Sequence, residues 1–359
     1  MNILLTGGTG FVGGALTTVL LTEGHHVHIV VRSIRKAHQF ASSLDKELRN
    51  RLHIIEGDIT LPFLGIKNSI RCQLEKKIDA FYHIAALVKF DESMRETLFS
   101  INYNGTAHAL ELAASLSIPR FFYVSTAYTV GRNEHGHEKL YDIRSRFNNP
   151  YEESKCRAEH LVFSYQDQMH TSIFRPSIIV GDSTSGKSDS TVALYGFIRG
   201  IHVFQRRIMA KSDAAYTYRI HAASKGTSNL VPIDYVCRVL FGALTNAESG
   251  TIYSITNAQA PTNEKILSLI CDHLGLADRL VSAENPQDLS ADELLLNELI
   301  AAYEVYMHRH IQFTDTNTQL LLSNAGLPGL SMDEAMLTRI INGYHHTTST
   351  GTKKRSVLV

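Results

Sequence analysis

Residues 1–13 read MNILLTGGTGFVG, and this stretch decides the fold. Residues 3–5 are a short apolar run typical of a buried parallel strand, and residues 11–21 are apolar at helical spacing. The glycine-rich turn between them presents backbone N–H groups and the positive end of a helix to a pyrophosphate. We expect the chain to begin by binding a dinucleotide; a glycine-rich turn that holds no ligand is the alternative.

The glycines of this turn follow the spacing G-x-x-G-x-x-G at Gly7, Gly10 and Gly13. The first allows the tight turn, the second lets the backbone approach a phosphate, and the third lets the helix pack closely on the sheet. The predicted cofactor-binding residues of the turn are Gly7, Thr9, Gly10, Phe11, Val12 and Gly13.

The composition favours a small-molecule partner. The 359 residues include 35 Lys and Arg against 35 Asp and Glu, so no charge excess indicates a nucleic acid or an anionic membrane. The chain is long enough for one large domain with a smaller lobe. Its composition leaves the oligomeric state open.

The cysteines and the amino terminus indicate a compartment. The four cysteines lie far apart without a C-x-x-C pair, which argues against a zinc site and against a disulfide-bonded secreted domain. Residues 1–24 lack the basic region of a signal peptide, and no apolar stretch approaches the roughly 20 residues that span a bilayer. We expect a cytoplasmic protein with no metal and no membrane span.

Strand-like runs alternate with helical patterns over the first half of the chain. The predicted strands are 2–6, 26–31, 52–56, 79–84, 119–125 and 171–176. The predicted helices between them are 10–23, 33–47, 92–116 and 151–168. This alternation is typical of an α/β fold with a Rossmann-like doubly wound parallel sheet, which binds ligands at the carboxyl ends of its strands.

The pattern loosens after residue 181 and predicts a smaller, mostly helical C-terminal substrate lobe. The predicted helices of this lobe are 262–275, 288–307 and 331–343. We assign 1–181 and about 229–256 to a nucleotide-binding domain, 182–228 and 257–344 to the substrate-binding lobe and lid, and 345–359 to a disordered tail. The aromatic residues of 182–220 would form the lid over a water-poor pocket.

The end of the second predicted strand indicates which nicotinamide cofactor is bound. Arg32 stands where an acidic residue would accept hydrogen bonds from the ribose of NAD, and an arginine there pairs with the 2′-phosphate of NADP. Lys36 lies one helical turn further. Asp58 and Ile59 follow the third strand, where the carboxylate can accept from the adenine amino group. A solvated arginine and an ordinary loop aspartate are the alternatives.

Tyr151 and Lys155 are four residues apart, so on a helix they share one face. An ammonium beside a phenol lowers the phenol's pKa from about 10 toward neutrality, which makes it a usable acid or base. Ser125 and Thr126 end the fifth predicted strand, at the edge where a substrate carbonyl would lie. The Tyr–Lys spacing alone is common on surfaces, but with these hydroxyls and a dinucleotide turn it predicts carbonyl chemistry.

The chain resembles the extended short-chain dehydrogenase/reductase superfamily in its glycine turn, its Arg32 strand end, Gly57-Asp58, Tyr151-x-x-x-Lys155 and the FRPS of residues 174–177. Several stretches further resemble the thioester reductase and fatty acyl-CoA reductase branch, which has male-sterility-type NADP-binding domains. They are GDIT at 57–60, LGI at 64–66, HIAALV at 83–88, FYVSTAY at 122–128, FRPSIIVGD at 174–182 and NLVPIDYV at 229–236. The resemblance covers roughly residues 1–256.

The resemblance implies the roles of the catalytic residues. Thr126, five residues before Gly131, would bind the substrate oxygen, with Ser125 as the alternative. Tyr151 would be the proton donor, and Lys155 its electrostatic partner and a ligand of the cofactor ribose.

The resemblance also implies further contacts with the cofactor, NADP(H). Ala85 and Ala86 would line its pocket, Asn102 would support the central helix, and Pro176 and Ser177 would cover the nicotinamide ring.

Two other patterns suggest ligands without supporting context. Residues 181–188, GDSTSGKS, fit the phosphate-binding pattern G-x-x-x-x-G-K-[ST], but no partner strand ends in a magnesium-binding Asp, and the resemblance places them in a surface loop. His25, His26 and His28 alternate along a strand, whose two faces would separate them, so we expect no metal site there.

The predicted function is reduction of an acyl thioester by NADPH, with acyl-CoA or a carrier-bound acyl group as the partner, giving an aldehyde and then an alcohol. The alternative is a ketone or aldehyde reductase, or a hydroxysteroid-dehydrogenase-like enzyme, that uses the same residues on a free carbonyl. A nucleotide-sugar epimerase or dehydratase fits less well because of Arg32. A non-catalytic NADP-sensing protein fits less well because Tyr151 and Lys155 are both present.

Overall fold

The computed structural model describes residues 1–190, 192–211, 216–221, 226–276, 279–283, 287, 289–307 and 309–344. The predicted tail at 345–359 and parts of the predicted lid lie outside these residues. The strands are β1 (Asn2–Thr6), β2 (His26–Val31), β3 (Leu52–Glu56), β4 (Ala80–His83), β5 (Arg120–Val124), β6 (His135–Gly136), β7 (His170–Pro176), β8 (Ile178–Val180), β9 (Tyr218–His221), β10 (Leu230–Pro232), β11 (Thr251–Ile255), β12 (Leu280–Ala283) and β13 (Gln312–Phe313).

The α-helices are α1 (Phe11–Thr22), α2 (Ile34–Ser43), α3 (Lys46–Arg49), α4 (Asn68–Leu74), α5 (Arg95–Leu98), α6 (Gly105–Ser115), α7 (Pro150–Phe163), α8 (Leu194–Arg207), α9 (Ile233–Asn246), α10 (Asn263–Leu274), α11 (Ala291–Met307), α12 (Thr316–Asn324) and α13 (Glu334–Asn342). Short 3₁₀ turns lie at Pro62–Gly65, Glu92–Met94, Ala127–Val130 and Met209–Lys211, and Phe99–Asn104 forms a π-helix between α5 and α6.

In the described part of the chain, the central sheet has seven strands in the order β11-β7-β5-β4-β1-β2-β3. Each neighbouring pair is parallel. The order reverses direction between β1 and β4, which brings the carboxyl ends of these two strands to the edge where such folds bind ligands. The predicted doubly wound parallel sheet is confirmed, and the predicted strands agree with β1–β5 and β7 to within one residue at each end.

The two faces of the sheet bury separate hydrophobic cores because successive strand residues point in opposite directions. Leu5 faces a core shared with Leu16 of α1 and Leu240 of α9. Leu4 faces the opposite core, which α6 and α7 cover with residues such as Leu110. Residue 155 therefore approaches the sheet from the second face.

A third core stabilises the C-terminal lobe. It joins α8, α10, α11 and α13 around fully buried side chains such as Ile198 and Ile340. Tyr195, Phe197 and Phe204, three aromatic residues of the predicted lobe and lid, are buried in this core. These residues stabilise the lobe, and their role as a lid over a pocket stays a prediction.

The GDSTSGKS segment is a loop whose amide groups are already used. Asp182 Oδ1 accepts hydrogen bonds from the backbone N–H of Thr184 (3.2 Å) and of Ser185 (2.7 Å). Gly186 packs against the end of α13, where a Cβ atom would lie 2.2 Å from Arg339 O. The next α-helix begins only at Leu194. A phosphate-binding loop needs its N–H groups free and a helix directly behind it, and this segment has neither.

None of the helices in the described ranges is both long and apolar enough to cross a membrane. Within the same ranges, no group of three or more His, Cys, Asp and Glu side chains is arranged to hold a metal ion.

Three imidazoles stack on the outer part of the sheet. His26 and His28 lie on the same face of β2, and His53 of β3 stands directly opposite His28. The ring centroids of His28 and His53 are 4.4 Å apart, and those of His26 and His53 are 5.7 Å apart. Burial, then His53 and His26, lower the pKa of His28 to about 4.

We expect this stack to weaken the protein at mildly acidic pH. Between pH 6.5 and about 4 the unfolded chain binds a proton at His28 that the folded chain does not, so the free energy of unfolding falls as the pH falls. We expect His28→Gln to remove this loss. Between pH 7 and pH 5 the free energy of unfolding of the wild type should fall by about 1 kcal/mol more than that of the variant, after allowance for solvent screening. Urea denaturation at both pH values measures it, with His38→Gln on the exposed side of α2 as the control. Equal pH dependence in all three proteins would contradict the assignment.

Candidate active site

The amino-terminal turn is built on two close backbone approaches. Gly7 has φ +73°, and the N–H of Gly10 donates to Gly7 O at 2.8 Å. A Cβ atom on Gly13 would lie 2.1 Å from Gly7 O. No side chain caps α1, and its first turn has no acidic residue. The N–H groups of Phe11, Val12 and Gly13 thus lie at an uncapped helix start that could bind an anion, and their contact with a pyrophosphate stays a prediction.

The loop after β4 lies against this turn. Thr6 Oγ1 accepts hydrogen bonds from the N–H of Ile84 (3.2 Å) and of Ala85 (3.3 Å). A Cβ atom on Gly7 would lie 2.9 Å from Ala85 N. The structure therefore brings the predicted residue Ala85 to the wall of the turn, and Ala86 directly follows it in the chain.

The carboxyl ends of β2 and β3 lie at the same edge of the sheet as the glycine turn that follows β1. Arg32 directly follows β2 and is exposed, and the hydroxyl of Ser33 caps α2 by accepting from Lys36 N (3.4 Å). The N–H of Gly57 donates to Val31 O (3.0 Å), which places Asp58 at the same edge. Arg32 and Lys36 are thus positioned around one helix start, which is favourable for a phosphate.

Asp58 makes one contact that the sequence did not predict. Its Oδ1 accepts from both the N–H (2.9 Å) and the hydroxyl (2.8 Å) of Thr60. Ile59 O contacts His108 Nδ1 of α6 at 2.9 Å. The loop is therefore fixed by Asp58 and Thr60 within it and by His108 of α6, and the second carboxylate oxygen of Asp58 is the one that could face an adenine.

Lys155 anchors helix α7 to the end of β5. Its side chain is 2% exposed, and Nζ donates to Val124 O at 2.7 Å and lies 4.2 Å from the ring centroid of Tyr123. Burial lowers the pKa of Lys155 to about 7, and the charge of Glu159 one turn along the helix partly opposes this. Burial thus works against the charged form of this lysine, an effect that the sequence does not reveal.

Tyr151 lies one turn before Lys155 and meets Thr126 across the site. The Thr126 side chain is 6% exposed and lies near the Tyr151 phenol. Burial and the charge of Glu152 raise the pKa of Tyr151 above its ordinary value, and the nearby Thr126 hydroxyl opposes this. The expected lowering of the phenol's pKa is therefore wrong for this structure: the phenol is neutral, and a neutral phenol is a proton donor.

Two neighbours of Tyr151 were not identified from the sequence. Phe90, in the loop after β4, meets the Tyr151 ring edge to face at a centroid distance of 6.0 Å. Glu152 is fully buried and accepts from the N–H of Asn148 (2.9 Å) at the start of α7. The sequence gives no signal that Glu152 is buried, because charged residues beside a Tyr–Lys pair are usually exposed. Phe90 could not be predicted because it lies in an irregular loop.

Asn102 supports the site as the resemblance implied. Its Oδ1 accepts from Leu87 N (2.8 Å), and its Nδ2 donates to Leu87 O (3.0 Å) and to the Ser154 hydroxyl (3.1 Å). It stands in the π-helix that precedes α6. One buried amide thereby joins the loop after β4 to helix α7.

Two serine hydroxyls at the strand ends are buried and lack a protein partner within the described residues. Ser125 is 4% exposed and Ser177 is 6% exposed, and neither Oγ atom has a hydrogen-bond partner there. Ser177 N donates to Ile255 O (3.0 Å), which fixes the residue after Pro176 against β11. Buried hydroxyls in this state indicate a ligand group or water as the missing partner.

A buried ion pair orders the loop beside the site. Arg175 donates to both carboxylate oxygens of Glu159 (2.8 and 2.7 Å), and both side chains are at most 1% exposed. Arg175 also donates to His137 O (2.9 Å) and Lys139 O (3.0 Å). The pair therefore connects β7, α7 and the segment that follows β6.

The sheet topology, the glycine turn and the paired Tyr151 and Lys155 define an extended short-chain dehydrogenase/reductase, a class of NAD(P)-dependent oxidoreductases. The model of the male sterility protein family matches residues 5–240, and the chain belongs to this family. This confirms the resemblance drawn from the sequence.

Curated relatives include a hydroxysteroid dehydrogenase and a fatty acyl-CoA reductase. The 3 beta-hydroxysteroid dehydrogenase/Delta 5-->4-isomerase of Mycobacterium tuberculosis is 30% identical over 246 residues, 64% of this chain and 61% of that protein. Fatty acyl-CoA reductase 1 of Gallus gallus is 25% identical over 286 residues, 67% of this chain and 54% of that protein. The chain thus spans less than two thirds of the length of these relatives.

Solved structures share the fold over nearly the whole chain. The terminal R domain of the myxalamid PKS-NRPS pathway is 24% identical, with a TM-score of 0.78 over 96% of this chain and 90% of that one. A thiolation-reductase di-domain from an archaeal non-ribosomal peptide synthetase is 19% identical, with a TM-score of 0.74 over 97% of this chain and 76% of that one.

We expect Gly13→Ala to abolish dinucleotide binding, because its methyl group would overlap Gly7 O and push α1 away from the turn. The loss of affinity is at least about 100-fold, with a cost of about 1–3 kcal/mol in stability. Gly14→Ala is the control: in the same helix the nearest atom to its Cβ would be Phe40 Cε2, at an ordinary 3.5 Å. Fluorescence titration and thermal unfolding measure both effects, and Gly13→Ala binding like Gly14→Ala would refute the geometry.

Proposed function

We propose that this chain is an NADPH-dependent reductase that reduces the carbonyl of an acyl thioester to an aldehyde, which the same site can reduce again to an alcohol. The observation that carries the proposal is that Thr126, just after β5, and Tyr151 of α7 lie near each other at the carboxyl edge of the sheet, with Lys155 Nζ buried and bonded to Val124 O beside them. Three polar groups with these properties fit a carbonyl that gains negative charge during reduction.

The residues of the amino-terminal half fit a phosphorylated dinucleotide. The Gly7 and Gly13 contacts leave room for backbone alone, and the uncapped start of α1 suits a pyrophosphate. Arg32 and Lys36 supply positive charge where a ribose 2′-phosphate would lie, which favours NADPH over NADH. When bound, NADPH supplies a hydride to the carbonyl carbon.

Thr126 and Tyr151 would hold the carbonyl oxygen and neutralise it. The neutral phenol of Tyr151 donates a hydrogen bond to the oxygen in the ground state and its proton to the oxyanion as charge develops. The Thr126 hydroxyl provides the second donor and orients the phenol. For a thioester, the resulting hemithioacetal then loses the thiol and leaves an aldehyde.

Lys155 would act through its charge. Its ammonium favours the phenolate that Tyr151 becomes after proton transfer, and it can donate to cofactor ribose hydroxyls. The hydrogen bond from Lys155 Nζ to Val124 O holds the amine at the base of the site. Ser125 and Ser177 offer two further hydroxyls toward the nicotinamide region.

The relatives support an acyl thioester as the substrate class. They include a fatty acyl-CoA reductase and, in fold, a terminal R domain and a thiolation-reductase di-domain. We infer acyl-CoA or a carrier-bound acyl group as the partner on this basis.

Reduction of a free ketone or aldehyde is the second candidate function. The hydroxysteroid dehydrogenase relative favours it, and the same Thr126, Tyr151 and Lys155 would serve. A panel of acyl-CoAs, aldehydes and ketones with NADPH separates the two. Turnover of ketones without any release of free thiol from acyl-CoAs would favour the second function.

Tyr151→Phe tests the proton donor. We expect kcat to fall about 100- to 10,000-fold, because the oxyanion loses its acid, while NADPH affinity changes little. Tyr103→Phe, in the π-helix, removes a phenol from the same region and should keep wild-type turnover. Stopped-flow loss of NADPH absorbance measures both, and wild-type rates in Tyr151→Phe would overturn the assigned role.

Arg32→Asp tests the cofactor preference. We expect NADPH to bind about 10- to 100-fold more weakly, because the 2′-phosphate loses a charge-assisted hydrogen bond, while NADH affinity stays level or rises. Lys46→Asp on α3 makes the same charge change at an exposed site and serves as the control. An unchanged ratio of the two affinities in Arg32→Asp would refute the role of this arginine.

A further inference from the structure

His83 is a buried histidine at the end of β4 that the proposed mechanism does not use. It is 1% exposed, and its Nδ1 lies 2.8 Å from Thr6 Oγ1. The same Thr6 oxygen accepts the N–H groups of Ile84 and Ala85, so the hydroxyl hydrogen of Thr6 is left to donate to Nδ1. We assign the ring proton to Nε2 on this network.

The Nε2–H of His83 is an unused donor. Burial and then the charge of Lys155 lower the pKa of His83 to about 3, so the ring is neutral. In the described part of the chain, no acceptor lies within hydrogen-bond distance of Nε2. Buried donors almost always have a partner, protein or water, so this atom indicates a molecule that accepts.

Lys155 lies on the same face of the sheet. The rings of His83 and Tyr123 are side by side on β4 and β5, with centroids 5.9 Å apart and planes inclined by 15°. Lys155 Nζ is 4.2 Å from the Tyr123 centroid and directs one of its N–H groups to Val124 O. The ammonium and the imidazole N–H are both donors, so neither can satisfy the other directly.

We propose that a buried water molecule accepts hydrogen bonds from His83 Nε2–H and from the Lys155 ammonium, and that His83 is thereby a positioning residue that keeps Lys155 charged. The titratable groups that surround Lys155 are His83 of β4, Tyr123 of β5, and Tyr151 and Glu159 of α7. Glu159 is already paired with Arg175 of β7, so its charge is shared. This inference rests on the proposed function, in which the charged lysine binds the cofactor ribose.

The test is the pH dependence of NADPH binding, which needs no substrate. Affinity in the wild type should decline as the pH rises through about 7, where Lys155 loses its proton. His83→Phe keeps the ring but removes the N–H, and with it the bridging water. We expect the decline to move to lower pH by about one unit, since a hydrogen bond to a charged group is worth roughly this much.

Three variants separate this effect from general damage. Phe81→Leu alters a buried ring on the same face of β4 and should leave the decline in place. Lys155→Met should remove the decline of NADPH affinity with rising pH. The pH dependence that remains in this variant is that of the NADPH phosphate alone. His83→Gln, which restores an N–H donor, should return the decline toward the wild-type pH. A decline at the wild-type pH in folded His83→Phe, or an equal shift in Phe81→Leu, would overturn the proposal.

A crystal structure of the wild-type protein at a resolution that shows ordered water gives a second readout. This measurement tests the proposal even if the His83→Phe variant does not fold. A water within hydrogen-bond distance of both His83 Nε2 and Lys155 Nζ is expected, and its absence there would overturn the proposal. Failure of the proposed function is distinguishable, because it would show as no turnover in the substrate panel while the bridging water and the pH shift persist.

Discussion

The hydrogen bond from Lys155 Nζ to Val124 O is the interaction on which the site depends. It ties helix α7 to the carboxyl end of β5, and it leaves Tyr151 one turn away at the height of Thr126. Sliding α7 by one turn would break this bond and carry the phenol away from the strand ends. The fold thus sets the site through a buried contact between a helix and the sheet.

Burial then determines the charges of the site. The low-dielectric surroundings disfavour the ammonium of Lys155 and the phenolate of Tyr151 alike. Burial therefore lowers the pKa of Lys155 to about 7 and raises the pKa of Tyr151, which keeps the tyrosine protonated. Both groups are therefore poised for the same event: transfer of the phenol's proton leaves a phenolate that the ammonium stabilises. Glu159, one turn from Lys155, opposes part of this loss of charge, although Arg175 shares the charge of Glu159.

Much of this was predictable from the sequence, because apolar runs report strands and glycine spacing reports close backbone approach. The strands β1–β5 and β7 and the turn at Gly7–Gly13 follow from such local patterns. The pairing of Tyr151 with Lys155 on one helix face also follows. Helices α8 and α9 were not predicted, although apolar residues recur at helical spacing in both.

What depends on burial or on strand register was not predictable. The direction of the Tyr151 pKa was predicted wrongly, because the neighbouring lysine is visible in the sequence and the buried surroundings are not. The stacking of His53 on His28 needs the register of β2 against β3. The sequence predicted that the aromatic residues of α8 belong to a lid. Their burial in the core of the C-terminal lobe is visible only in the packing of the structure.

The most direct measurement is a crystal structure of the chain with NADP⁺ and an unreactive thioester. The account predicts the Tyr151 hydroxyl within hydrogen-bond reach of the thioester oxygen, which lies over the nicotinamide ring. A Tyr151 oxygen that turns toward solvent, or that lies more than about 10 Å from that ring, would contradict it.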